Sequence, residues 1–484
     1  MIKPNTQTDV DRIKTGVRNL DAILGGGFPS GSLVVFAGDP GSGKTILSQQ
    51  IGFHNASVDF KVIFFQTLSE PMVKTLSHTK RFSYFDQSKV GKSVYFVDLG
   101  DLSQLVGLEK ANALIKESIK KIKPALVVID SFKAFEDLSS SPEELRCFSY
   151  KAAINMTTWE CTCFLIGEYE PRNTKGNPVF SIIDGIVTLS QDVESGEEQR
   201  FIQISKMRST NHSRDRHSLA ISSDGIEVYA PKVTIRRDPK ADQDQEFSKR
   251  CKTGVSVLDD LVEGGIPRGS AILVSGAAGT GKTLLGLEFI YKGVKVANEK
   301  GILFTFEETE ERIRVAATSM GWDLTAEINR GMIEIVTISQ PDILVDKHVL
   351  MMHERIARLS ATRVVIDSTS VLLYKVTSPQ ILRERIYQLA TIIQSAHAVG
   401  LFISDIPYGK KEISRFGVEE TIVDGIVLLT APEEEGSIRE RYLEVYKLRN
   451  SIHKIGKHRV QIAPGGMVIQ PTDSKSHLKI QKSG

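Results

Sequence analysis

The chain alternates between short apolar runs and longer stretches in which apolar residues have helical spacing, and the alternation occurs twice. The short runs predict buried strands, and the longer stretches predict amphipathic helices. Strands that alternate with such helices indicate an α/β fold, with a mostly parallel central sheet and helices on both faces. The predicted strands include 32–37, 61–67, 271–275 and 301–306, and the predicted helices include 45–56 and 283–297.

The two halves of the chain begin with the same sequence pattern. Thr-Gly-Val, Leu-Asp and Gly-Gly-x-Pro-x-Gly-Ser follow one another between Thr15 and Ser32, and again between Thr253 and Ser270. A repeat of this length indicates a tandem duplication. The predicted parts are a domain at 1–231, a polar linker at 232–247, a domain at 248–470 and a polar tail at 471–484.

A glycine-rich loop follows the first predicted strand of each half. Both loops fit G-x-x-x-x-G-K-[ST], the pattern of nucleotide-triphosphate loops. Glycines let backbone N–H groups point at phosphate oxygens, and the positive end of the next helix adds to the attraction. We expect Lys44 and Lys282 to contact the outer phosphates of ATP. A turn that only opens a helix would be the alternative for one match, but two matches in register argue against it. The loop residues are Gly38, Asp39, Pro40, Gly41, Ser42, Gly43, Lys44 and Thr45, and then Gly276, Ala277, Ala278, Gly279, Thr280, Gly281, Lys282 and Thr283.

An aspartate ends a later apolar run in each half, at Asp130 and at Asp367. Such a run predicts a buried central strand, and its carboxyl end lies beside the phosphate loop in a parallel sheet. With the last loop residues, Thr45 and Thr283, these aspartates are predicted to bind Mg²⁺.

Glutamates just past another predicted strand are candidates for orienting and activating water. The second half carries two of them, Glu307 and Glu308, whereas the first half has Ser69 and Glu70 at the matching positions. If both carboxylates contribute, the first site should hydrolyse ATP more slowly. The alternative is a solvated helix start, where glutamate is also favourable.

A basic segment recurs far downstream of each loop. An arginine is followed six residues later by Lys-x-Arg in both halves, and in an extended strand this spacing places the arginine and the lysine on one face. Because the segment is far in sequence from its own loop, we expect it to reach the nucleotide of a neighbouring subunit, as a trans arginine finger does. The alternative is an exposed charged strand. The residues are Arg200, Lys206 and Arg208, and then Arg441, Lys447 and Arg449.

Composition restricts the function classes. The chain has 484 residues, 41% apolar and 25% charged, with a formal net charge of +2. This near-neutral charge argues against a strongly basic nucleic-acid surface. No apolar run approaches the roughly 18 residues of a membrane span, and the N-terminus lacks the apolar stretch of a signal peptide. The four cysteines show no zinc spacing, so we expect buried free thiols in a cytoplasmic protein.

Together, the opening pattern, the two phosphate loops, the paired glutamates and the Lys-x-Arg segments resemble the KaiC family of two-domain RecA-like ATPases. The resemblance extends from Thr15 to about Ile469. It implies a homohexamer of two stacked rings, with ATP between adjacent subunits and slow ATP hydrolysis. In clock members of the family it also implies autophosphorylation in the C-terminal ring, and a thioredoxin-like partner, KaiB, on the N-terminal ring.

The chain departs from the clock pattern where the family has adjacent serine and threonine phosphosites. Glu420 and Thr421 stand there, so Thr421 remains as an acceptor while Glu420 supplies a fixed charge. The leading prediction is an ATP-hydrolysing ring protein that couples nucleotide state to ring conformation and to a KaiB-like partner. The alternatives are an autokinase acting on Thr421, a RadA-like DNA-repair ATPase and an ATP-dependent assembly scaffold with little turnover.

Overall fold

The computed structural model shows a chain that divides into two compact units after Ala230. The predicted linker and tail lie outside the residues that the structure describes. Each unit is described by itself. The described residues are 11–67, 72–99, 108–137, 139, 141, 143–148, 150–151, 159, 161–169, 179–194, 197–230, 249–407, 412–432 and 440–470.

The described part of the first unit forms a nine-stranded sheet. Its strands, from one edge to the other, are Gly225–Tyr229, Arg216–Ser222, Glu197–Met207, Gly185–Glu194, Leu33–Gly38, Thr162–Gly167, Leu126–Asp130, Val62–Gln66 and Val94–Asp98. The last six are parallel, and the first three extend the sheet in antiparallel fashion. A short ladder pairs Arg12–Ile13 with Phe28–Pro29. The described helices include Leu20–Ile23, Lys44–Asn55, Met72–Thr79, Leu108–Ile122, Lys133–Asp137 and Val179–Ile182, with a 3₁₀ turn at Gln87–Lys89.

The second unit repeats this topology in its own nine-stranded sheet of described residues. Its strands, in the reverse order, are Ile333–Thr337, Gly301–Thr305, Arg363–Asp367, Val399–Asp405, Ala271–Gly276, Gly425–Thr430, Arg441–Leu448, Lys457–Ala463 and Gly466–Gln470. A short ladder pairs Arg250–Cys251 with Ile266–Pro267. The helices are Ser256–Leu261, Lys282–Ala297, Glu310–Ser319, Leu324–Asn329, Val345–Leu359, Thr369–Leu372, Pro379–Ser395 and Glu419–Ile422, with a 3₁₀ turn at Gln340–Asp342. The predicted duplicated RecA-like α/β fold is confirmed.

Both faces of each sheet are buried, which explains the continuous apolar runs. In Leu33–Gly38, Val34 and Phe36 pack in one cluster with residues of the helix Lys44–Asn55. Val35 packs on the other face in a cluster with the helix Leu108–Ile122. A strand covered on both faces has no polar side, so it lacks the alternation of a half-exposed strand. The predicted strands and helices named above are therefore found within one residue of their predicted bounds.

Three of the four cysteines are buried free thiols, and Cys147 is an exposed one. Burial raises the pKa of Cys161 to about 11 and that of Cys251 to about 12. These thiols are therefore protonated and behave as small apolar groups. No helix in the described ranges has the length and apolar character that crossing a membrane requires.

The second unit contains a buried ionic cluster. Arg363 is 1% exposed, and its Nε donates to Glu299 Oε2 at 2.7 Å. Its guanidinium also donates to the Phe289 carbonyl oxygen and lies over the Phe289 ring. Arg268 pairs with the other oxygen of the Glu299 carboxylate. Glu299 is thus the counter-charge of a fully buried arginine, and at the matching strand position the first unit has the apolar Leu126.

We expect Glu299→Ala to lower the free energy of unfolding of the second unit by about 3–5 kcal/mol, because it leaves a buried charge without its partner. Urea unfolding followed by Trp322 fluorescence in a Trp159→Phe background measures this unit. The matched control is Arg459→Ala, which removes an ion pair with side chains 46% and 32% exposed and should cost less than about 1 kcal/mol. Equal losses in the two variants would contradict the prediction.

Candidate functional site

Each phosphate loop connects a central strand to the helix that begins at its lysine, Lys44 or Lys282. The glycine before that lysine has a left-handed conformation, with φ of 103° at Gly43 and 106° at Gly281. Such a conformation suits a residue without a Cβ. Backbone N–H groups of the first helical turn have no partner within the helix, so they are available to an anion.

In the second unit, the loop opens onto a cleft of about 400 Å³. Four carboxylates from three strand ends line it: Glu307, Glu308, Asp367 and Asp405. The Ser368 hydroxyl donates to Glu307 Oε1 at 2.9 Å and so orients this carboxylate. The predicted catalytic glutamates therefore lie in the same cleft as Lys282 and Thr283.

The carboxylates of this cleft act on one another. Burial, opposed by a hydrogen bond from Thr283 and supported by the negative charges of Glu307, Asp405 and Glu308, raises the pKa of Asp367 to about 6. Like charges held together in one cleft favour a cation among them. A threonine hydroxyl beside an aspartate also supplies the hard oxygen ligands that Mg²⁺ prefers. The residues present therefore fit the predicted magnesium site.

In the first unit, Thr45 and Asp130 match Thr283 and Asp367, and the two are in direct contact. The Thr45 hydroxyl donates to Asp130 Oδ2 at 2.6 Å. Lys44 Nζ donates to the carbonyl oxygens of Gly38 and Asp39 at 2.9 and 2.7 Å. Burial lowers the pKa of Lys44, and the nearby Glu168 is the first of the carboxylates that oppose this shift. Glu70, the predicted catalytic residue of this unit, lies outside the described residues.

Sequence reasoning missed one acid in each unit. Asp405 ends the strand Val399–Asp405 and forms an ion pair with Lys282, with Nζ 2.8 Å from Oδ1. In the first unit, Glu168 directly follows the strand Thr162–Gly167. The available signal was an apolar run followed by an acid in both halves, the same signal that identified Asp130 and Asp367.

The structure corrects the prediction that the arginine and the lysine of each basic segment share a face. Lys447 pairs with Ile426 but Val445 pairs with Val427, so Tyr446 is an extra residue. The same bulge occurs at Ser205, because Lys206 pairs with Ile186 and Ile204 with Val187. An extra residue reverses the alternation of side chains. Arg441 and Lys447 therefore lie on opposite faces, as do Arg200 and Lys206.

One residue of the second basic segment contacts its own phosphate loop, although the two are far apart in sequence. Arg441 Nε donates to the Gly279 carbonyl oxygen of its own phosphate loop at 3.2 Å. On the opposite face, Lys447 Nζ donates to the carbonyl oxygens of Glu420 and Val423 at 2.7 and 2.8 Å. In the first unit, Lys206 Nζ likewise donates to a carbonyl oxygen outside the loop, that of Ile183. In each basic segment, the first arginine and the lysine thus lie on opposite faces of the sheet.

Thr421 lies on the face of the second unit that carries Lys447 and Arg449. Its side chain is exposed, and Arg383 donates to its hydroxyl at 2.9 Å. Arg449 donates to the Thr421 carbonyl oxygen at 3.0 Å. The predicted acceptor hydroxyl is therefore accessible and has a guanidinium within hydrogen-bond distance.

Comparison with known proteins identifies the family. A family model described as "ATPase: KaiC" matches residues 13–233 and 251–474, which is most of the chain. The chain belongs to the KaiC family. The predicted resemblance is confirmed, and with it an ATPase at the level of the family.

Curated KaiC proteins are similar along nearly the whole chain. "Circadian clock oscillator protein KaiC" from Picosynechococcus sp. is 29% identical over 95% of this chain and 90% of its own length. The protein of the same name from Rippkaea orientalis is 28% identical over 96% of this chain and 90% of its own length. "Circadian clock protein KaiC3" from Synechocystis sp. is 29% identical over 92% of this chain and 89% of its own length.

In this KaiC-family cleft, the Asp405 carboxylate is paired with Lys282, the residue predicted to contact the phosphates. We expect Asp405→Asn to tighten binding of a fluorescent ATP analogue at the second site by about threefold to tenfold, because it removes a negative charge close to the phosphates. A Lys44→Ala background silences the first site. The control is Glu384→Gln, whose side chain is 59% exposed. Weaker binding by Asp405→Asn would show instead that this carboxylate supports the bound nucleotide.

Proposed function

We propose that the chain binds and hydrolyses ATP with Mg²⁺ as a KaiC-like homohexameric ring protein of the cytoplasm. In this proposal, nucleotide state is coupled to hexamer conformation and to the binding of a KaiB-like partner. The observation that carries the proposal is the second cleft, where the phosphate loop, the pair Thr283 and Asp367, and the glutamates Glu307 and Glu308 meet.

Each group in the cleft has a distinct role in this proposal. The loop N–H groups and Lys282 would bind the phosphates, and Thr283 and Asp367 would hold Mg²⁺, which would offset charge on the phosphate oxygens. Glu307 and Glu308 orient the attacking water and accept its proton. Ser368 supports this role, because its hydroxyl donates to Glu307 and fixes the direction of the carboxylate.

The first unit is proposed to bind ATP in the same manner, through its own loop and through Thr45 and Asp130. Their hydroxyl–carboxylate hydrogen bond of 2.6 Å supports this assignment. Of the two positions that match Glu307 and Glu308, one carries Ser69 and the other carries Glu70, which is the proposed catalytic carboxylate of this unit. We therefore expect the first site to hydrolyse ATP more slowly.

The basic segments divide between two proposed roles. Arg441 supports its own loop, as its hydrogen bond to Gly279 indicates, and Arg200 occupies the matching position in the first unit. Lys447 and Arg449, on the opposite face, would reach the nucleotide of a neighbouring subunit, and Lys206 and Arg208 would do so for the first ring. The second role requires the proposed ring, because the nucleotide belongs to the neighbouring subunit.

We expect Lys282→Ala, and separately the pair Glu307→Gln with Glu308→Gln, to remove most steady-state phosphate release. The glutamate pair should lower turnover by about 10²–10⁴-fold at the second site, the range of general-base catalysis. The matched variant Lys44→Ala should leave most turnover in place. The assay is phosphate release with Mg²⁺ and ATP.

Other results of this assay would contradict the roles proposed for the two sites. A loss mainly in Lys44→Ala would show that Glu70 suffices and would reverse the ranking of the two sites. Unchanged turnover in the glutamate pair would contradict the catalytic assignment. No turnover in the unmodified protein, with ATP still bound, would indicate a nucleotide-dependent scaffold.

The exposed Thr421 favours one second candidate, an autokinase. Arg383 and Arg449 supply positive charge next to the acceptor, and guanidinium groups bind phosphate well. We expect one added phosphate in the intact mass after incubation with Mg²⁺ and ATP, and no addition in Thr421→Ala. An unchanged mass of the unmodified protein would reject this activity, and an addition retained in Thr421→Ala would place it on another residue.

A further inference from the structure

The helix that begins at each phosphate loop carries one buried polar residue that contacts the last hairpin of its unit. This residue is Gln50 in the first unit and Glu288 in the second, six residues after the loop lysine in both. Gln50 is 7% exposed and Glu288 is 2% exposed. The two positions are equivalent, but one side chain is a neutral amide and the other is an acid.

Gln50 makes two hydrogen bonds to one residue of the hairpin. The N–H of Ile226 donates to Gln50 Oε1 at 2.7 Å, and Gln50 Nε2 donates to the Ile226 carbonyl oxygen at 3.3 Å. In the second unit, the N–H of Met467 donates to Glu288 Oε2 at 2.7 Å. The accepting half of the interaction is therefore the same in both units.

A glycine next to each contact residue shows how closely the hairpin approaches. A Cβ at Gly466 would lie 2.5 Å from the Glu288 carboxyl atoms, and a Cβ at Gly225 would lie 2.5 Å from Gln50 Oε1. Both glycines have positive φ, 123° and 100° respectively. Backbone and side chain are thus in direct contact, which leaves no room for water between them at this point.

The hairpin also covers the phosphate loop. A Cβ at Gly281 would lie 3.3 Å from Met467 Cε and 3.5 Å from Ile462 Cδ1. In the first unit, Ile226 and Ile221 contact the Gly43 position in the same way. The residue held by Glu288 therefore also packs against the last glycine of the loop, so a change in the hairpin reaches the loop directly.

The chemistry of the two side chains differs in one respect. An amide both donates and accepts, an ionised carboxylate only accepts, and a protonated carboxyl has one O–H donor as well as acceptor oxygens. A protonated Glu288 can therefore reproduce both hydrogen bonds that Gln50 makes, with its O–H directed at the Met467 carbonyl oxygen. The ionised form retains one of them and buries a charge.

We propose that Glu288 is a positioning residue that holds the hairpin of Lys457–Ala463 and Gly466–Gln470 against the second phosphate loop in its protonated form, and that its ionisation loosens this hairpin and weakens nucleotide binding at the second site alone. The nucleotide part rests on the proposed function. The hairpin part stands independently, because it can be measured without nucleotide.

The surroundings of Glu288 favour the protonated form up to about pH 7. Burial raises its pKa from 4.5 to about 7, while the N–H of Met467 and the charge of Lys292 act in the opposite direction. Lys292 lies on the same helix. From the hairpin, the described groups that face Glu288 are the Met467 N–H and the backbone of Gly466.

This pKa fixes the direction of the pH dependence. The closed hairpin holds the proton up to about pH 7, whereas an opened hairpin loses it near 4.5. The stabilisation is therefore complete below pH 4.5 and is lost as pH rises to about 7. Between these values the opening equilibrium should grow by about tenfold per pH unit, and above them it should level off.

Hydrogen exchange of the full chain at pH 5 to 8.5 tests the hairpin. After correction for intrinsic exchange, the exchange rate of the Met467 amide should rise with pH up to about 7 and then level off. The Ile226 amide should stay flat and serves as the control within the same molecule. Glu288→Gln should make Met467 flat as well, and the reciprocal Gln50→Glu should give Ile226 the pH dependence. A flat Met467 in the unmodified protein, or the same slope in Glu288→Gln, would overturn the proposal.

Binding of a fluorescent ATP analogue in the Lys44→Ala background tests the nucleotide part. Its Kd should weaken at least about fivefold between pH 5.5 and 8 relative to the Glu288→Gln variant in the same background. Equal pH profiles would overturn this part of the proposal. Absence of binding at every pH would overturn the proposed second site, and the exchange of Met467 would then decide the role of Glu288 in the hairpin.

Discussion

The close approach of each phosphate-loop strand to the strand beside it is the constraint on which the candidate sites depend. A Cβ at Gly38 would lie 1.7 Å from the Leu189 carbonyl oxygen, and one at Gly276 would lie 2.2 Å from that of Leu429. Only a residue without a side chain fits, so the chain can leave the centre of the sheet in a tight loop and enter a helix at once. The loop N–H groups then face the edge where the parallel strands end.

That edge collects charge because the strands are parallel. Asp367, Asp405 and the glutamates after Gly301–Thr305 come from different parts of the sequence and meet in one cleft with Lys282. Burial, and then the negative charges of its neighbours in the cleft, raise the pKa of Asp367. The excess of acidic groups in the cleft favours a cation, and the lysine and loop N–H groups favour an anion. Magnesium with a nucleoside triphosphate satisfies both requirements.

The two units share one sheet topology but carry different side chains at equivalent positions. Leu126 and Arg363 begin equivalent strands, yet one packs in an apolar core and the other needs Glu299 as a counter-charge. Gln50 and Glu288 contact equivalent hairpins, but the amide of Gln50 can donate hydrogen bonds, whereas an ionised Glu288 carboxylate can only accept them. In both pairs, the ionisable member belongs to the second unit, so we expect this unit to respond more strongly to the loss of a partner or of a proton. The two halves therefore differ in electrostatics while sharing a topology.

The sequence by itself determined the elements, the duplication and the loops, because apolar runs and glycine spacing are local signals. It also identified Asp130, Asp367, Glu307 and Glu308, since each follows an apolar run that predicts a strand. The tertiary structure alone decided what depends on strand pairing. The bulges at Ser205 and Tyr446 reversed the faces of the basic segments, and a bulge depends on the partner strand rather than on local spacing. Likewise, only the packing of a distant hairpin against a helix shows that Glu288 is buried at the edge of the phosphate loop.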